Sequence, residues 1–144
     1  MSIRFASQDI DFELSQAQKV KKWVSQVIQL RGKRVGNISY LFCDDEYLLG
    51  VNQQYLNHDT YTDIITFDYV EGDVLSGDLF ISIDSVRENA SFYGAEFLTE
   101  LRRVMVHGLL HLIGYDDHTP EEQKVMRSKE DYYLSLRESV TGEK

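Results

Sequence analysis

Apolar residues recur along the chain in two periods, and the switch between them predicts the elements. From Val20 the positions Val20, Trp23, Val24, Val27 and Ile28 follow i, i+3, i+4, i+7, i+8, the stripe of a helix with one face in the core. Ser15-Gln16-Ala17-Gln18 ahead of it fits a capping box with Ser15 as N-cap, and Gly32 fits its end. Ile3 to Leu14 reads as an opening strand and turn. Val35 to Cys43 alternates through Ile38, Tyr40 and Phe42, a strand with one buried face. Asp44-Asp45-Glu46 then opens a helix where the dipole favours acids, with Leu48, Val51, Tyr55 and Leu56 as its apolar positions.

Asn57 to Thr60 reads as a loop, Ile64 to Tyr69 as a short strand, Glu71-Gly72-Asp73 as a turn, and Leu79 to Ile83 as a buried strand. Helices are predicted over 84–93 and 96–113. Thr119-Pro120-Glu121-Glu122 combines an N-cap, a proline at the first helical position and a glutamate three residues after the cap, so a last helix starts there. Its positions Val125, Met126, Lys129, Tyr132 and Tyr133 continue it, and the tail after Val140 is expected to fray. Strands mixed with helices in the first half and helices alone in the second predict an α+β fold, an αβα sandwich. It would have one mixed sheet of about four strands with helices on both faces. With one proline, no repeat and no linker-like stretch in 144 residues, residues 1–144 are expected to form a single domain.

The net charge of −9 disfavours broad attraction to nucleic acid or to anionic membrane, while leaving room for a local basic face. Lys19, Lys21 and Lys22, then Arg31, Lys33 and Arg34, read as solvated clusters. A single cysteine, Cys43, leaves no internal disulfide to form, and the thiol is expected to be buried and inert. No apolar run suits a signal peptide or a membrane span, so no membrane partner is expected and the cytoplasm is the expected compartment.

The chemistry lies in Val106-His107-Gly108-Leu109-Leu110-His111-Leu112-Ile113-Gly114-Tyr115-Asp116-Asp117-His118. His107 and His111, four apart on an apolar helix, put two imidazoles on one face, one turn apart, where both can meet one ion. Gly114 can stop the helix and turn the chain back beneath that face. Asp117, six after His111 and three after Gly114, completes the H-x-x-x-H-x-x-G-x-x-(H/D) spacing of metzincin-type sites. His118 is the alternative third ligand, one residue out of register but of a type zinc favours. Three protein ligands leave a position for water, so one divalent metal, expected to be zinc, would work through a water it holds. Where H-E-x-x-H metalloproteases carry their glutamate base this chain has Gly108, which argues against peptide hydrolysis by that route. Gly108 instead suits close approach of another segment or of substrate.

His107 to Asp116 resembles the H-G-x-L-H-L-x-G-Y-D-H signature of the YbeY family. Leu56-Asn57 with Thr62-Asp63-Ile64-Ile65-Thr66-Phe67 is similar to the family's L-N…T-(D/N)-V-L-S-F stretch. Gly77-Asp78-Leu79-Phe80-Ile81-Ser82 is similar to its G-D-I-x-I-S strand, and Glu100 and His107 keep its E…H spacing. The resemblance spans about residues 36–135. It implies a metal-dependent endoribonuclease of small-subunit ribosomal RNA maturation, working in the cytoplasm with ribosomal RNA and the small subunit as partners. The metal-binding helix would face a groove. The chain departs from the pattern twice. The family's third ligand is usually a histidine at the position held here by Asp117. The arginine its loop carries after a tyrosine is missing from Asn57-His58-Asp59-Thr60-Tyr61-Thr62, with Arg102, Arg103 or a lysine as substitutes. Asp116 and whichever of Asp117 and His118 does not bind metal are the neighbours that could serve as general base. Asp63 could orient the site's loop or serve a turn. Two other readings stay open: a non-catalytic ribosome-assembly factor with a structural metal, and a metallohydrolase of another substrate.

Overall fold

A computed structural model describes residues 2–56 and 62–141, with side chains at 2–55 and 62–136. The loop histidine His58, its neighbours at 57–61 and the tail at 142–144 lie outside the described residues. The elements run β1 Ser2–Ser7, α1 Ala17–Leu30, β2 Arg34–Cys43, α2 Asp45–Leu56, β3 Ile64–Asp68, β4 Val74–Ser82, α3 Ile83–Tyr93, α4 Phe97–Ile113 and α5 Pro120–Thr141. The four strands make one sheet in the order β1-β2-β4-β3. β1, β2 and β4 are parallel, and β3 pairs antiparallel to β4. This is the mixed α+β sheet expected.

Alternation along the strands sorts the two faces. Ile38, Tyr40 and Phe42 of β2 and Leu75, Leu79 and Ile81 of β4 join the core shared with α1, α3, α4 and α5. Cys43, Ile65, Phe67 and Phe80 point to the opposite face, where α2 covers them with Leu48 and Val51. Helices therefore lie on both sides. α4 is the central one, with ten of its seventeen residues buried. A buried tyrosine must satisfy its hydroxyl, and Tyr40 does so by donating to the Met105 carbonyl at 3.0 Å, which ties the sheet to α4. The α1 stripe is buried at all five expected positions. Trp23 from that stripe donates its indole N–H to the Tyr133 carbonyl at 2.7 Å and joins α1 to α5.

Several local expectations need correction. Ser15 does not cap α1: Gln16 is the N-cap, in a left-handed conformation and without a side-chain bond. β4 begins at Val74, not Leu79, because Leu75 and Gly77 already alternate into the core ahead of Leu79. Ile83 opens α3 rather than closing the strand, with Ser82 capping the helix through Ser85 N–H. Tyr55, Val125 and Tyr132 are exposed. Cys43 is buried, and burial pushes its thiol up to about 12. No described helix is long and apolar enough to cross a membrane.

Candidate metal centre

Because α4 packs on the sheet through one side, its stripe Glu100, Arg103, His107 and His111 is turned toward α5 and the end of α3. Gly108, one residue after the first histidine, faces the sheet. A Cβ there would come 2.4 Å from Leu79 Cδ2 and 2.8 Å from Ile64 Cδ1. Another chain segment is what approaches Gly108. A glutamate at this position would point into packed core, so the missing protease base is a consequence of how close the helix sits to β3 and β4.

α4 ends at Gly114, whose φ of 123° lies in the region that favours glycine. Its N–H donates to the carbonyls of Leu110 and His111, and Tyr115 N–H donates to Leu110. The chain then turns back so that Asp117 lies beside the histidines. Thr119 caps α5 by the reciprocal pattern expected: Glu122 N–H donates to Thr119 Oγ1 at 3.1 Å, and Thr119 N–H to Glu122 Oε1 at 3.0 Å.

Three ligand atoms converge. His107 Nε2 and His111 Nε2 are 3.0 Å apart. Asp117 Oδ2 is 3.4 Å from the first and 3.5 Å from the second. Atoms held about 2.0–2.1 Å from a tetrahedral zinc lie about 3.4 Å apart, so the donor set fits one ion and the group could hold a metal. His118 stands outside the group. It is exposed, and its backbone N–H donates to Glu122 Oε1. Asp116 is exposed as well and does not line the groove.

His107 is fixed from behind by a residue the sequence did not flag. Glu130 on α5, with a side chain 6% exposed, stands 2.6 Å from His107 Nδ1. A carboxylate there accepts the hydrogen bond from Nδ1–H, which keeps the proton on Nδ1 and leaves the Nε2 lone pair aimed at the cluster. Arg103 holds Glu130 in turn, with Nη1 2.9 Å from Oε1, and reaches Asp131 at 2.7 Å through Nη2. Arg103 is thus a paired residue, while Arg102 is buried and off the groove. Burial disfavours imidazolium at His107, but the hydrogen bond and charge of Glu130, with Asp117 and Asp63, outweigh it and raise its pKa. Burial also raises the pKa of Asp63, against the pull of His107.

The cluster opens into a groove of about 240 Å³ between α3, α4 and α5. Asp63, Tyr93, Glu100 and Arg127 line it with His107 and Asp117. Glu130 and Arg127 carry no local motif, whereas Asp63, which lies in the stretch 62–67 and is expected to orient the site's loop or serve a turn, lines the groove.

The family model described as Endoribonuclease YbeY matches residues 3–137. The chain belongs to that family. The Endoribonuclease YbeY of Flavobacterium psychrophilum is 53% identical over 128 residues, 89% of this chain and 91% of that protein. The Bacteroides thetaiotaomicron member is 46% identical over 95% of this chain and 100% of its own length. The Porphyromonas gingivalis member is 46% identical over 98% and 94%. The solution structure of TM1509 from Thermotoga maritima superposes with a TM-score of 0.67 at 28% identity, covering 99% of this chain and 91% of that one. The chain thus shares the fold of that structure over nearly its whole length, and the family match spans both α4 histidines.

Proposed function

We propose that this protein is a metal-dependent endoribonuclease whose ion is zinc, held by His107, His111 and Asp117. The observation that carries the reading is the meeting of two imidazole nitrogens and a carboxylate oxygen within 3.5 Å of one another in an open groove. Two histidines and one carboxylate leave further coordination positions, as catalytic zinc sites do. When bound, the metal polarises the phosphoryl group and lowers the pKa of a water, the chemistry that phosphodiester hydrolysis needs. Glu130 keeps His107 in the tautomer and orientation that binding requires, and Arg103 keeps Glu130 in place. Asp63 brings to the groove wall a carboxyl that holds its proton to higher pH than an exposed aspartate.

The substrate is small-subunit ribosomal RNA and the setting ribosome maturation in the cytoplasm. The relatives' name, Endoribonuclease YbeY, supports RNA as the substrate class, and the ribosomal setting rests on the resemblance to the YbeY signature. The test is cleavage of a small-subunit ribosomal RNA fragment by chelated protein, by zinc-loaded protein and by His111→Ala carried through the same purification. Cleavage by the zinc-loaded wild type alone is expected. Equal residual cleavage in all three would point to contaminating nuclease, and to a factor that binds without cutting.

A further inference from the structure

The groove beside the metal cluster is rich in negative charge, which is an unusual place to receive a polyanion. Asp63, Glu100, Asp117 and Glu130 line it, against the guanidinium groups of Arg103 and Arg127. Four carboxylates and two arginines leave −2 when all are ionised, and a divalent ion brings the balance to zero. An arriving RNA strand therefore meets no general attraction and needs a specific cation.

Arg103 is not free to serve. It is 16% exposed and already bridges Glu130 and Asp131 at 2.9 and 2.7 Å. Arg127 differs on each count. It is exposed, and it stands on α5 three residues before Glu130, so it shares the face that carries Glu130 to His107. Among the described residues no ion pair or hydrogen bond commits its guanidinium. A guanidinium presents several donors in a planar fork matched to phosphate oxygens.

We infer that Arg127 binds a backbone phosphate of the RNA next to the one placed at His107, His111 and Asp117, and so sets the strand's register on the metal. This rests on the proposed RNA-cleaving function. Arg127 is here a substrate-binding residue, and the competing role is charge balance against nearby Glu100, whose carboxyl it helps to ionise.

The experiment measures steady-state cleavage of a single-stranded ribosomal RNA fragment by zinc-loaded protein over a series of salt concentrations. The variants are Arg127→Ala, Arg127→Lys and Lys124→Ala. Lys124 is an exposed cation on the same helix that does not line the groove, so its loss removes equal charge elsewhere. Arg127→Ala is expected to raise KM on the order of tenfold with a smaller change in kcat. It should also flatten the slope of log(kcat/KM) against log salt by about 0.7, the value for one phosphate contact on a single strand. Arg127→Lys should recover part of the loss, and Lys124→Ala should match wild type. Kinetics and slope for Arg127→Ala equal to those of Lys124→Ala would overturn the inference and leave the proposed function standing. So would a loss confined to zinc content or melting temperature, which charge balance predicts. Zinc-loaded wild type that leaves RNA uncut would remove both.

Discussion

Removing the Glu130 carboxylate should weaken metal binding although Glu130 touches no metal. Its oxygen lies 2.6 Å from His107 Nδ1, and its side chain is 6% exposed. Little water is at hand to replace it. Without the carboxylate, nothing behind His107 selects the tautomer with a free Nε2, and the ring must be ordered when the ion binds. Groups that hold a ligand histidine in this way contribute about 10–100-fold to metal affinity, or about 1.4–2.8 kcal/mol. Glu130→Gln keeps a carbonyl acceptor and loses the charge, so it should fall near tenfold. Glu130→Ala loses both and should approach 100-fold. The assay is competition for zinc against a chromophoric chelator at neutral pH, with circular dichroism confirming that each variant is folded. Arg103 retains Asp131 as a partner in both variants, which limits collateral damage. A folded Glu130→Ala that binds zinc within about twofold of wild type would refute the argument.

Other outcomes follow from the same geometry. Asp117→Ala should cost more than about 100-fold in zinc affinity, beyond the largest loss at Glu130, while His118→Ala should bind like wild type; the reverse ranking would make His118 the third ligand. Gly108→Ala should destabilise the fold by about 1–3 kcal/mol, because the added methyl overlaps Leu79 and Ile64 in a filled core, and an unchanged melting temperature would show that α4 is less tightly seated. In the metal-free protein the raised pKa of His107 implies stability that is full below the ordinary histidine value of 6.5 and is lost as pH rises through the higher folded value. Thermal melts of chelated protein should show that fall, and less of it in Glu130→Gln. Zinc affinity should run the other way, weakening as pH drops through the same range because the proton competes for Nε2.

What the chain's own order revealed was local. His107, His111, Gly114 and Asp117 lie within eleven residues, and helix geometry with one glycine turn brings them together. The α1 stripe and the Thr119–Glu122 cap are local in the same sense. The Ser15 cap misled because a capping box needs an extended N-cap residue, whereas Gln16 next to it takes the left-handed conformation. The early half of β4 was masked by Ser76-Gly77-Asp78, polar and small like a turn. Gly77 is there because Phe67 and Leu112 leave no room for a Cβ. Glu130 and Arg127 could not have been read out, and Asp63 only as a residue of the loop or of a turn. Asp63 comes from just ahead of β3 and the other two from α5, and only the packing of α5 and β3 against α4 shows that they meet. The family's histidine at the Asp117 position illustrates the same limit from the other side, since spacing chose the position and geometry had to supply the atom.

The central claim is a single ion on α4 and the turn that follows it. The direct measurement is a crystal structure of zinc-loaded protein with anomalous scattering recorded at the zinc edge. One peak about 2.0–2.2 Å from His107 Nε2, His111 Nε2 and an Asp117 carboxylate oxygen is the expected result. A peak coordinated by the His118 ring, or a saturated protein with no peak between the two α4 histidines, would contradict it.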